Sequence, residues 1–79
     1  MRIVVEWFGP LRDRAGAERE EIEVPETDLE GIWDFLRPRL GTDLATGSLR
    51  AAVDDNIAGW DDRPPPGSRV CFIPPVGGG

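Results

Sequence analysis

Apolar and polar residues alternate along Arg2–Phe8, the period of a β-strand. Ile3, Val5 and Trp7 share one face, and Val4, Glu6 and Phe8 share the other. Glu6 marks the second face as solvated, so the first three residues point into a core and Phe8 stands on the wet side. Gly9-Pro10 breaks the alternation. Leu11–Ala15 has room for one short helical turn, closed by Gly16. Glu20–Val24 alternates again, with Ile22 and Val24 on one face, and stops at Pro25.

The period then changes. Leu29, Ile32, Trp33, Leu36 and Leu40 recur at helical spacing, and Thr27-Asp-Leu-Glu30 reads as a capping box ahead of them. Asp28 and Glu30 suit the positive end of the helix dipole, Arg37 and Arg39 its negative end. Pro38 predicts that the regular helix stops near Arg37, with Gly41 finishing the segment. Gly31 weakens this helix by about 1 kcal/mol relative to alanine. Trp33 is expected in the core and Phe35 as partial cover.

Thr42–Ser48 reads as a polar loop and Leu49–Val53 as a third strand. Asp54-Asp55 turns the chain into a very short strand around Ile57. Pro64-Pro65-Pro66-Gly67 makes a stiff connection that cannot lie inside a sheet. The final strand, Arg69–Ile73, places Val70 with Phe72 and Cys71 with Ile73. The order β-β-α-β-β-β predicts an α+β architecture: a mixed sheet of four to five strands with one main helix packed on one face. One domain over 1–74 carries a flexible tail at 75–79.

Composition narrows the chemistry. The 79 residues, 39% hydrophobic with three tryptophans, suffice for one small core. A single cysteine and no histidine exclude an internal disulfide and make structural zinc unattractive. The net charge of −6 disfavours nucleic acid and suits basic partners. Apolar runs are too short to span a membrane, and the opening residues lack a signal-peptide layout, so cytoplasm is the default compartment. All nine basic residues are arginine. Without lysine or histidine the usual bases near neutral pH are missing, so another protein is expected to perform any chemistry.

The end of the chain offers one reacting group. Gly77-Gly78-Gly79 follows the last strand directly. Glycine lacks a Cβ, so such a tail can thread a channel too narrow for side chains, with the terminal carboxylate as its functional group. Pro75–Gly79 reaches about 17 Å when extended. Pro74 and Pro75 stiffen its base and reduce the entropy lost on insertion.

These residues resemble a known family. Phe72, Ile73, Pro74, Pro75, Val76, Gly77, Gly78 and Gly79 look like the C-terminal signature of the MoaD family, the ubiquitin-like β-grasp small subunits of molybdopterin synthase. Phe8, Leu11-Arg12, Gly16, Ala52-Val53 and Gly67 also fit. Gly77 stands where serine, threonine or alanine is usual, and Asp54-Asp55-Asn56 and Gly9-Pro10 also depart from the pattern. The resemblance implies a sulfur carrier that binds no cofactor itself. A MoeB-like enzyme would adenylate the Gly79 carboxylate with ATP, and a persulfide donor would convert it to a thiocarboxylate. The tail, Gly78 and Gly79 foremost, would then enter a MoaE-like large subunit, within a heterotetramer, and deliver sulfur to the dithiolene. Related carriers serving thiamine, cysteine or a thio-metabolite, a ubiquitin-like modifier, and a plain interaction module are the alternatives.

Alternation also predicts the docking surface. With Val70 and Phe72 packed on the helix, Ile73 shares the outer face with Phe8, and Ile57 joins them. The family's partner-binding patch uses matching positions, and Pro75, Val76 and Gly77 would continue the contact along the tail. Arg12 adds a polar contact at the rim. Cys71, within a strand of a chain that has no lysine or histidine to lower its pKa, is expected to be structural.

Overall fold

The computed structural model describes residues 1–74. Five strands and two helices follow in the order β1 (Arg2–Trp7), α1 (Gly9–Ala15), β2 (Arg19–Glu23), α2 (Leu29–Leu40), β3 (Arg50–Val53), β4 (Asn56–Ala58) and β5 (Arg69–Ile73). A single 3₁₀ turn, Thr46–Ser48, precedes β3. The sheet runs β2-β1-β5-β3-β4, with β1 and β5 parallel and every other pair antiparallel. The last strand therefore lies at the centre, between the first strand and the β3–β4 hairpin.

The alternation along β1 holds: Ile3, Val5 and Trp7 are buried against α2, whose Leu29, Ile32, Trp33, Leu36 and Leu40 face them. Phe72 on β5 is the hub. Its ring lies 5.1 Å from that of Trp33, 6.1 Å from Trp7 and 6.1 Å from Trp60, so all three tryptophans surround it. Each buried indole needs a partner for its N–H. Trp7 donates to Glu20 Oε2 at 2.7 Å and Trp33 to the Leu44 carbonyl at 2.8 Å. The 54–55 turn has φ of 49° and 72°, the left-handed pair that a two-residue hairpin loop demands and that aspartate tolerates.

Three expectations need correcting. The turn after Pro10 is a second helix, α1, which begins at Gly9, buries Leu11 and ends on Gly16 at φ 75°. Helix α2 is capped by Asp28 rather than Thr27: its carboxylate accepts from the Gly31 N–H at 2.9 Å. Thr27 falls one residue outside because the Asp62 and Trp60 carbonyls take the N–H groups of Leu29 and Glu30, leaving no reciprocal box to form. Finally, α2 runs through Pro38 to Leu40. Pro38 and Asp34 both lie on the exposed side, where the Asp34 carbonyl that proline cannot serve is open to water. Beyond them, Leu40 is buried and Gly41 closes a paired motif: Gly41 N–H to Pro38 and Thr42 N–H to Arg37.

Candidate partner-binding face and tail root

One face of the sheet carries α2 and the other is open. The register fixes which residues share the open face. Glu6 pairs with Cys71, Cys71 with Ala52 and Ala52 with Ile57, giving one row across β1, β5, β3 and β4. Trp7 pairs with Phe72, so Phe8 and Ile73 stand one step further along, on neighbouring strands and on that same open face. Phe8 is 47% exposed, Ile57 is 69% exposed and Ile73 is half-buried. Phe8 and Ile73 thus come together. Ile57 lies three strands from Phe8, about 14 Å at normal strand spacing, with small Ala52 and Cys71 forming the floor between.

Arg12 sits on α1 beside Phe8 and borders an open groove with Glu6 and Glu18. Its guanidinium already meets Glu18 at 3.3 Å, an exposed pair. The root of the tail is equally defined. Gly9, at φ 53°, brings its Cα under the Pro74 ring: a Cβ built there would lie 3.6 Å from Pro74 Cγ. Pro74 therefore leaves the sheet against the segment that carries Phe8. Pro75, Val76, Gly77, Gly78 and Gly79, expected as contact and reacting residues, lie outside the described residues.

A charge network that sequence reading did not foresee crosses this face. Glu6 accepts from Arg19 Nη2 at 2.9 Å and lies 3.1 Å from Arg69 Nε. Arg69 also pairs with Asp55. The Cys71 thiol donates to Glu6 Oε1 at 3.3 Å. That hydrogen bond, followed by the one from Arg19, holds the Glu6 carboxyl below its usual range. Burial, and then the neighbouring Glu6 carboxylate, push the Cys71 thiol up to about 11. The thiol is therefore protonated and unreactive at neutral pH, in keeping with a structural role. Only strand pairing reveals this network, since its members lie far apart in sequence; Glu6 on the wet face was its sole visible trace.

Among the described residues no group of histidine, cysteine, aspartate or glutamate is arranged to hold a metal ion, and no helix is long and apolar enough to cross a membrane.

The chain is similar to known proteins. The chain is 29% identical over 80 residues to the molybdopterin synthase sulfur carrier subunit of Escherichia coli, covering 98% of this chain and 99% of that one. It superimposes on a chain from the protein–protein complex of subunits 1 and 2 of the molybdopterin-converting factor of Helicobacter pylori, with a TM-score of 0.67 and 25% identity over the whole of both chains. The small archaeal modifier protein 1 of Methanosarcina acetivorans shares the fold, with a TM-score of 0.77 at 16% identity, covering 99% of this chain and 96% of that one. The ThiS family matches residues 5–79. With a five-stranded β-grasp sheet beneath a match of that extent, this chain belongs to the ThiS family of ubiquitin-like sulfur carriers.

Proposed function

We propose that this chain is the sulfur-carrier subunit of a molybdopterin synthase, with the Gly79 carboxylate as the site of loading. The observation that carries the reading is the tail root. Pro74 follows half-buried Ile73 and sits against Gly9, the neighbour of exposed Phe8, so the chain leaves the sheet beside the apolar pair on the open face. A partner that covers Phe8 and Ile73 thereby receives the tail. The similarity to the E. coli carrier subunit supports molybdopterin as the destination.

The chemistry follows from the carboxylate. Its charge is spread over two oxygens, which makes it a poor electrophile. A MoeB-like enzyme would let it attack ATP, forming an acyl adenylate with a good leaving group and dividing one hard step into easier ones. The outer sulfur of a persulfide donor then displaces AMP to give an acyl disulfide. A second thiol attacks the donor's sulfur, breaking the S–S bond, forming a disulfide on the donor side and leaving the thiocarboxylate on Gly79. The product is a nucleophilic sulfur on a tether, a role like that of other group carriers. A MoaE-like large subunit binds the apolar face, takes in the tail, and transfers sulfur to the pterin precursor, two charged carriers supplying the two dithiolene sulfurs. With no lysine or histidine, the chain contributes the tether and the docking face, and its partners contribute the catalysis.

Intact mass after incubation with ATP, an activating enzyme and a sulfur donor tests the proposal. A gain equal to exchanging one oxygen for sulfur, absent when Gly79 is deleted, is the expected result. A tail joined to lysine on another protein, without that gain, would make the chain a modifier instead.

A further inference from the structure

The strands place four arginines on the open face: Arg2, Arg19, Arg50 and Arg69. Three of them meet carboxylates. Arg2 lies 3.6 Å from Glu23, Arg19 lies 2.9 Å from Glu6, and Arg69 bridges Glu6 and Asp55. Arg50 differs. It is exposed, and among the described residues no carboxylate lies within ion-pair distance of it.

Its position gives that difference meaning. Arg50 pairs directly with Ile73 across β3 and β5, on the same face. Cross-strand neighbours of this kind stand about 5 Å apart at Cβ. Arg50, Ile73, Pro74 and Trp60 together border an open concavity backed by the Thr46–Ser48 turn. The one arginine of these four without a carboxylate partner among the described residues therefore stands at the tail root, at an open concavity whose apolar lining is Leu49, Trp60, Ile73 and Pro74. Covering it with an apolar surface alone would strip water from a guanidinium and return nothing.

We infer that Arg50 selects the partner: the surface that receives the tail presents a carboxylate side chain into this concavity, flanked by apolar contacts over Ile73 and Trp60. This rests on the proposed docking of a large subunit and names the chemistry of its contact. The neutralised state of Arg2, Arg19 and Arg69 leaves Arg50 as the charge on which such a partner discriminates, and Arg's planar fork suits a carboxylate.

The test measures binding to the purified cognate large subunit of molybdopterin synthase. Arg50→Glu is expected to weaken binding about tenfold or more. Arg39→Glu, which makes the same change in net charge on exposed helix α2, is expected to leave the dissociation constant unchanged. Arg50→Gln should flatten the dependence on salt. Reversing the partner's carboxylates one at a time should restore binding to Arg50→Glu in one case. Equal affinities for Arg50→Glu and the unaltered chain would overturn the inference. So would a loss that no charge reversal on the partner rescues. Failure of the unaltered chain to bind at all would instead overturn the docking on which the inference rests.

Discussion

Phe72 shows how much one side chain decides. It is fully buried at the meeting point of β5, β1, α2 and the loop bearing Trp60. Phe72→Ala is expected to destabilise the fold by about 3–5 kcal/mol, read as a lower denaturant midpoint together with altered tryptophan emission. The Glu6–Cys71 pair contributes to the response to pH at both ends. Cys71 moves from 9.0 to about 11, so across that window an unfolded chain releases a proton that the folded chain keeps. Stability accordingly falls as pH rises through it, and Cys71→Ala should flatten that alkaline limb in pH-dependent denaturation. Glu6 acts at the other end: its lowered pKa stabilises the fold above the ordinary carboxylate value of 4.5, and that contribution is lost as pH falls. Glu6→Gln should bring the thiol back toward its ordinary value, visible as faster alkylation at a given alkaline pH.

Helix α2 carries the clearest lesson at the scale of elements. Its apolar stripe was legible because Leu29, Ile32, Trp33, Leu36 and Leu40 keep helical spacing, and all five are buried. Its ends were not, because the groups that satisfy them come from elsewhere in the chain. The loop carbonyls of Trp60 and Asp62 fix the start, and burial of Leu40 carries the helix past Pro38. Asp28→Ala should therefore lose about 0.5–2 kcal/mol, the range of a helix cap. Gly31 is a second case. A Cβ there would meet Thr27 Oγ1 at 2.5 Å and Cγ2 at 2.6 Å. Alanine is the better helix former by about 1 kcal/mol, yet Gly31→Ala is expected to lower the melting temperature. Adding Thr27→Ala should recover it, and the double mutant would separate crowding from propensity. If Gly31→Ala alone raised the melting temperature, Thr27 would not be confining that position. Arg14 ties the two helices together by donating to the Leu40 and Gly41 carbonyls, a contact that neither helical pattern announces.

For the molecule as a whole, the parallel pairing of β1 with β5 builds the open face on which docking is proposed. It sets Phe8 beside Ile73 and stands Pro74 against Gly9, although these residues come from opposite ends of the described chain. Phe8→Asp or Ile73→Asp should abolish binding to a large subunit, each apolar side chain contributing roughly 1.5–3 kcal/mol before association costs. Thermal unfolding of Phe8→Asp should stay close to that of the unaltered chain, because Phe8 is half exposed and no part of the core. Unchanged dissociation constants for both variants would remove the apolar face from the interaction.

The sequence by itself determined the strands, the main helix, the inward residues of β1, and the run Gly77-Gly78-Gly79, which carries no side-chain functional group. Each of these follows from local periodicity or from the presence or absence of a side chain, and neither depends on what packs nearby. Tertiary structure alone decided the rest. Strand order brought β5 between β1 and β3, and that register closed the Arg19–Glu6–Arg69–Asp55 network while leaving Arg50 without a carboxylate partner among the described residues. It also drew Trp60 onto Phe72. Ion pairs and aromatic contacts between residues distant along the chain exist only once folding sets their spacing, so no local pattern in the sequence encodes them.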